Sequence, residues 1–431
     1  MQVFDFEMVR PFFRKMDGMT IGVTQQTISR RTFLSATAVL AVSRGLPGMA
    51  QAQISDAKPV RVLAYVGTYT GAHGAAGHGA GIEQFEMNIR TGELSRLAPA
   101  MKTPNPSWVT LHPSKKYLYS VNEIDNFDGG NGSVSAFAID NTSGVLRKLN
   151  TVSSEGAIPA YCSVDAAGKF VFVANYGGGS VAALPILSDG SLGSAVDVQH
   201  DHGSVGSTHA TDAPRGSFAI SGHHHPHAHM IAADPQNRFV LATDLGQDRI
   251  YTYRFNRATG KLAAPSGKAF TSLPSGDGPR HFAFHPNGHW FYSIQEEAST
   301  IVFFHYNSST GLLDAQQTVS TLPAGFAGTN FASEILVSRS GKNLYAANRL
   351  HDTIAVFAIG AKGRLTHIGD VPTMGDYPRN CCIDPSGNFL FVSNQQGDSV
   401  TSFRIEHNTG LLTFTGRYTA VGSPASIIFR S

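Results

Sequence analysis

Three short phrases recur along this chain in a fixed order, seven times each, and such a repeat leaves few folds open. The first is an apolar strand opening on proline, as in PSWVTLHP from Pro106, PAYCSVDA from Pro159, PHAHMIAAD from Pro226, PRHFAFHP from Pro279, PRNCCIDP from Pro378 and PASIIF from Pro424. ASEILVSRS from Ala332 fills the remaining place without its proline. The second phrase ends in Asn or a substitute: AYVGTY, LYSVNE, VFVANY, VLATDL, FYSIQE, LYAANR and LFVSNQ. The third is a glycine turn before an apolar residue: TGEL, SGVL, DGSL, TGKL, TGLL, KGRL and TGLL. With Gly67, Asn122, Asn175, Asp244, Gln295, Asn348 and Asn394 as landmarks, the second phrase recurs after 55, 53, 69, 51, 53 and 46 residues. About 40–50 residues carrying several strands is the span of a propeller blade. The first unit lacks its opening strand, and PASIIF at the far end is the missing piece. The sequence therefore predicts an all-β, seven-bladed β-propeller whose C-terminal strand closes the first blade, leaving no open edge. It is a single domain over 53–431, its repeats running from about Arg61 to Phe429.

Composition agrees. Forty-five Gly and 21 Pro suit many short strands joined by turns, and 42% hydrophobic residues suffice for a core. A net charge of +2 gives no basic footprint for nucleic acid. No apolar run reaches the length of about 20 residues that spans a bilayer. Residues 1–52 read as a cleaved targeting region. SRRTFLSATAVLAV from Ser29 has the paired arginines, Phe-Leu and apolar stretch of a twin-arginine signal, despite Arg44 late in that stretch. Ala50-Gln51-Ala52 supplies small residues for cleavage before Gln53, and a start at Met19 leaves an n-region of ordinary length. A periplasmic location is the expectation. Cys162, Cys381 and Cys382 are expected free, because adjacent cysteines on a strand face opposite ways and Cys162 belongs to a distant blade.

Register also locates a site. In a hairpin of the first and second strands, the start of one lies beside the end of the other, so all seven such ends share one mouth of the ring. The residues after each proline are Ser107, Ala160, His227, Arg280, Ser333 by register, Arg379 and Ala425. Those after each landmark are Thr68, Glu123, Tyr176, Leu245, Glu296, Arg349 and Gln395. Three arginines, two glutamates, a histidine and a tyrosine thus gather on one rim. Arginine forks hold carboxylate or phosphate, and a glutamate or histidine beside them can move a proton. Rim positions are expected to carry little core burial, so that substituting them leaves folding intact. No nucleophile elbow, P-loop or dinucleotide fingerprint is present, and no cofactor is expected. Residues 199–222 lengthen the longest interval and read as an insertion over the rim. Its histidines match no fixed zinc spacing, and no metal is assigned. His229 lies deeper than His227 on the same strand face.

The phrases YVGTYT, NPSWVTLHPSKKYLYSVNE, GAIPAY with KFVFVANYGGGSV, ATDLGQDRIYTY, GPRHFAFHPNG, YAANR and GDYPRN resemble, in the same order, the propeller-type lactonase family. That family includes bacterial 6-phosphogluconolactonase and the fungal 3-carboxy-cis,cis-muconate lactonizing enzyme. The resemblance spans Tyr65 to Phe429. It implies lactone chemistry at the mouth, with catalytic roles for His227, Arg280, Arg349 and Glu296 rather than Glu297. Substrate contacts are expected from Glu123, Tyr176, Arg379, Gln395, His229 and His281. The leading expectation is a hydrolase opening a small-molecule sugar lactone. A muconate-type cycloisomerase and a non-catalytic exported binding module are the alternatives. No acidic cluster marks the mouth as a calcium-dependent lactonase. Oligomeric state is not legible.

Overall fold

Each proline phrase forms the inner strand of a blade in the computed structural model, which describes residues 61–72, 76–265 and 269–431. The inner strands are Pro424–Arg430, Trp108–Leu111, Pro159–Val164, Ala228–Ala233, Pro279–Phe284, Ala332–Val337 and Pro378–Ile383. Each pairs antiparallel with the second phrase of its blade: Val62–Thr68, Tyr117–Phe127, Phe170–Asn175, Phe239–Asp244, Trp290–Gln295, Asn343–Asn348 and Phe389–Asn394. Two further strands complete each sheet. In blade four the outermost place is shared by Leu262–Ala263 and Phe270–Ser272, both paired with Arg249–Phe255. The architecture is the expected seven-bladed propeller. Its C-terminal strand lies beside Val62–Thr68, pairing Leu63 with Arg430 and Thr68 with Pro424, so the ring closes on its own termini. The twin-arginine segment lies outside the described residues.

The core sits between blades rather than within them. Second strands such as Phe170–Asn175 and Phe389–Asn394 are buried along their whole length, because both faces pack on neighbouring sheets. One apolar cluster fills each inter-blade seam; Val62, Ala64 and Phe429, for example, pack on Phe389 and Phe391 of blade seven. Cys381 faces a cluster with Leu390 and Val392, while Cys382 packs on the next one, and all three cysteines are free. Tyrosines of the second strand tie adjacent blades. Tyr65, Tyr119, Tyr292 and Tyr345 donate to the carbonyls of Gly144, Gly190, Gly363 and Gly410 at 2.6–3.1 Å. Those acceptors belong to the third phrase, whose seven glycines, Gly92 to Gly410, all take φ between 71° and 86°. That left-handed turn is why the phrase needs glycine.

A bulge just after the first residue of the inner strand decides what reaches the axis. Pro279 pairs with Gln295, and pairing resumes at His281 opposite Ile294, so Arg280 is the extra residue. The same shift follows Pro159 and Pro378. In blade four the partner of Asp244 is Ala228, not Pro226. His229 therefore occupies the place of Arg280 and Arg379, and His227 stands one residue ahead of the strand. This corrects the sequence register, which took the wrong anchor because PHAH offers a proline two residues early. In blade one Pro424 pairs with Thr68, so the residue equivalent to Glu296 is Tyr69 rather than Thr68. The insertion also begins later than expected, since Asp197–His200 is the outer strand of blade three.

Candidate functional site

One hydrogen bond repeated in all seven blades builds the mouth. The amides of Tyr69, Glu123, Tyr176, Leu245, Glu296, Arg349 and Gln395 donate to the carbonyls of Ser423, Asn105, Ile158, His227, Gly278, Phe331 and Tyr377. Five of these acceptor residues, Asn105, Ile158, Gly278, Tyr377 and Ser423, have φ between 37° and 69°. The turn, with the bulge after it in every blade but the second, brings two rings of side chains to the mouth. One ring comprises Tyr69, Glu123, Tyr176, Leu245, Glu296, Arg349 and Gln395. The other comprises Ser107, Ala160, His229, Arg280, Ser333, Arg379 and Ala425.

Blades five to seven and two supply the charge. Oε2 of Glu296 lies 2.9 Å from Nε of Arg280 and 2.5 Å from Nη2 of Arg349. Nε of Arg280 makes an ion pair with Glu296 but no hydrogen bond, while its Nη1 donates to the Ser333 carbonyl. Arg349 reaches the carbonyls of Phe331 and Ala332 at 3.3 Å and lies over the Phe331 and Tyr377 rings. Arg379 sits over the ring of Tyr69, whose hydroxyl donates to Glu123 at 2.8 Å. Among the described residues, no acceptor engages the Arg379 guanidinium, Nη2 of Arg280 or Nη1 of Arg349.

Arg280, Glu296 and Arg349 are only 2%, 5% and 5% exposed. The expectation that rim residues carry little burial is therefore corrected: the charged residues of the mouth are buried. Burial raises the Glu296 carboxyl, but Arg349, Arg280 and Arg379 outweigh it and hold the group below its ordinary value. Burial, then the neighbouring charge of Arg349, lowers Arg280 to about 10.

His227 looks elsewhere. Its Nδ1 donates to the Tyr176 carbonyl at 2.8 Å, its ring stacks on that of Tyr176, and burial pushes its pKa down to about 3. The ionisable groups acting on it are His225, His224 and His223 rather than the arginines. His229, held neutral by burial and then by Arg280, is the blade-four residue that senses the arginine cluster, and its Nδ1 is buried without a partner. One layer deeper, His281 contacts Glu334 at 3.1 Å, and Asn380 donates to the same carboxylate at 2.6 Å. His281 also packs against Trp108, Tyr161 and His229. A channel cavity of about 310 Å³, lined by inner-strand residues of all seven blades including Trp108, Tyr161 and Glu334, continues from there. Gln395 reaches the mouth with its side-chain oxygen buried and unpartnered. Glu297 is separate, taking Ser221 Oγ at 2.7 Å and Gly222 N at 3.2 Å, with His223 2.8 Å away.

Sequence reasoning missed Tyr69. The signal was present, because aligning AYVGTY with LFVSNQ on the last strand residue rather than on Gly67 puts Tyr69 beside Glu123 and Gln395. The insertion crosses blades four to six. Gly206 donates to Gly246, Ser207 to Ser275 and Phe218 to Thr329 at 2.8–3.0 Å, and the Arg215 carbonyl accepts from Gly328 at 3.0 Å.

Fold and mouth define a seven-bladed propeller with an arginine-rich entrance. The chain belongs to the family described as lactonase, 7-bladed beta-propeller, whose sequence model matches residues 63–429. It is 34% identical over 370 residues to the 6-phosphogluconolactonase of Bacillus subtilis strain 168, covering 86% of this chain and 98% of that one. A 6-phosphogluconolactonase of Formosa agariphila is 32% identical over 340 residues, covering 78% and 91%. The solved periplasmic gluconolactonase of Pseudomonas aeruginosa superposes with a TM-score of 0.74 at 30% identity, covering 86% and 99%. No helix among the described residues is long and apolar enough to cross a membrane.

Proposed function

We propose that the protein hydrolyses a sugar lactone carrying an anionic group, of the 6-phosphogluconolactone type, at the arginine mouth. The observation that carries this reading is the set of uncommitted guanidinium donors on Arg280, Arg349 and Arg379 around the carboxylate of Glu296. Such donors suit a phosphate or carboxylate and the oxyanion that develops on the lactone carbonyl. Water adds to the carbonyl carbon, the ring C–O bond breaks, and the released alkoxide takes a proton. Glu296 is the base in this reading: Oε2 serves the arginines, and Oε1 is left to accept a proton from water. A carboxylate held below its ordinary pKa is a weaker base, and the positive charge gained at the oxyanion offsets that loss. His229 and Gln395, each with an unpartnered buried atom, suit sugar hydroxyls. The deciding experiment is hydrolysis of a panel of aldonolactones with and without phosphate. A preference of at least about 10-fold in kcat/KM for the phosphorylated member supports the reading. Hydrolysis of none defeats it.

Export is part of the proposal. The twin-arginine phrase at Arg30-Arg31 supports it, as does the likeness to a relative named as periplasmic. Lysine at both positions should leave the precursor in the cytoplasm, and unchanged periplasmic yield on fractionation would remove the argument.

A further inference from the structure

Three imidazoles stand where the insertion rejoins blade four. His224, His225 and His227 each offer one ring nitrogen, and these atoms lie within 4.8 Å of one another. Two of the rings are fixed by acceptors that can only receive a proton. Nδ1 of His227 donates to the Tyr176 carbonyl at 2.8 Å, and Nδ1 of His225 donates to the Pro226 carbonyl at 2.6 Å. Each neutral ring is thereby left with its Nε2 lone pair directed away from the backbone. Histidines that bind metals are oriented in this way, the second nitrogen donating to a carbonyl or carboxylate.

The spacing agrees. Nε2 of His227 is 3.4 Å from Nδ1 of His224. Two nitrogens bound at about 2.0–2.1 Å to one tetrahedral ion are roughly 3.3–3.4 Å apart. That separation is long for a hydrogen bond between the rings.

The backbone beneath is held on both sides. The His227 amide donates to Asp244 at 3.0 Å and its carbonyl accepts from Leu245 at 2.9 Å. His223 is clasped between Asp248 at 3.2 Å and Glu297 at 2.8 Å. Gly246 approaches the His225 carbonyl so closely that a Cβ would stand 2.1 Å from it. The cluster is graded in exposure, with His227 buried, His225 half-buried and His224 exposed, so an ion can enter from solvent.

We infer that His224, His225 and His227 form a three-imidazole site for a zinc-class divalent cation, fastening the end of the insertion to the mouth. Three neutral imidazoles without carboxylate or thiolate select Zn(II), Ni(II) or Cu(II) over magnesium and calcium. A fourth coordination position remains for water or ligand. This departs from the sequence expectation of no metal, because HHHPH has no recognised spacing; a tight turn, not a helical or strand repeat, converges the rings. The inference does not depend on the lactonase reading, in which Glu296 rather than His227 handles the proton.

The test uses the full chain, purified without a polyhistidine tag and stripped with a chelator. Zn(II) is titrated against a chromophoric competitor, and Co(II) is followed by visible absorption. The expected result is one equivalent bound, with the intense Co(II) bands of four- or five-coordination. His224→Ala and His225→Ala should each weaken Zn(II) at least about 10-fold. The His200→Ala/His202→Ala double variant, which removes two histidines elsewhere in the tract, should change nothing. Zn(II) should raise the melting temperature of the parent and not of His224→Ala, whose metal-free melting matches the parent because that side chain is exposed. Binding unaffected by His224→Ala and His225→Ala, or lost with His200 and His202 instead, overturns the site. So does Co(II) with only the weak bands of six-coordination.

Discussion

Glu296 and Arg349 share the shortest ion pair of the mouth, with Oε2 2.5 Å from Nη2, and the same oxygen faces Arg280 at 2.9 Å. One carboxylate therefore balances two buried guanidiniums. Glu296→Gln should lower kcat about 100-fold or more, since an amide accepts no proton. It should also destabilise the fold. Removing one partner of a buried ion pair costs about 3–5 kcal/mol, and the Gln carbonyl recovers part of that. Steady-state kinetics with thermal melting reads both effects. Parental turnover in a folded variant would remove Glu296 from the chemistry.

Arg379 lies over Tyr69 with no acceptor among the described residues, so its donors are available to substrate. Hydrogen bonds to charged groups are worth about 1.5–3 kcal/mol. Arg379→Met should therefore raise KM for a phosphorylated lactone roughly 10- to 100-fold while changing KM for a neutral lactone much less. Equal losses on both substrates would assign Arg379 to structure rather than to anion recognition.

The pH dependence follows from the sign of the Glu296 shift. Its folded pKa lies below its ordinary 4.5, because Arg349, Arg280 and Arg379 outweigh burial. A depressed carboxylate stabilises the folded state above its unfolded pKa, and that stability is lost as pH falls through the folded value. The acid limb of kcat/KM should thus lie below pH 4.5, with part of the acid unfolding tracking the same group. In Glu296→Gln the unfolding component should vanish. A limb centred near pH 6 would point to a different base.

Ring closure predicts a large stability effect from a short deletion. Removing Ser423 to Ser431 takes away the strand paired with Val62–Thr68 and the cluster members Ile427 and Phe429. It also exposes the backbone of a buried strand. Aggregation or a melting temperature lowered by more than about 10 °C is expected, against roughly 4–8 °C per kcal/mol for small domains and less for one this size. Melting at the parental temperature would mean the termini do not carry the seam.

The sequence by itself determined the ring. Proline, landmark and glycine phrases recur because each blade repeats the same local demands: a strand start, a strand end, and a turn whose φ near 80° only glycine takes easily. It also determined which mouth carries charge, since Glu123, Arg280, Glu296, Arg349 and Arg379 sit at fixed offsets from those phrases. Tertiary structure decided the rest. The partner of Asp244 is Ala228 and that of Thr68 is Pro424, which moves His229 and Tyr69 into the rings and His227 out of them. A bulge adds one residue to a strand without changing its composition, so only the pairing reveals which side chain is turned to the axis. The burial of Arg280 and Glu296 and the convergence of His224, His225 and His227 belong to the same class. They depend on how segments distant in the chain pack against one another, which no local phrase records.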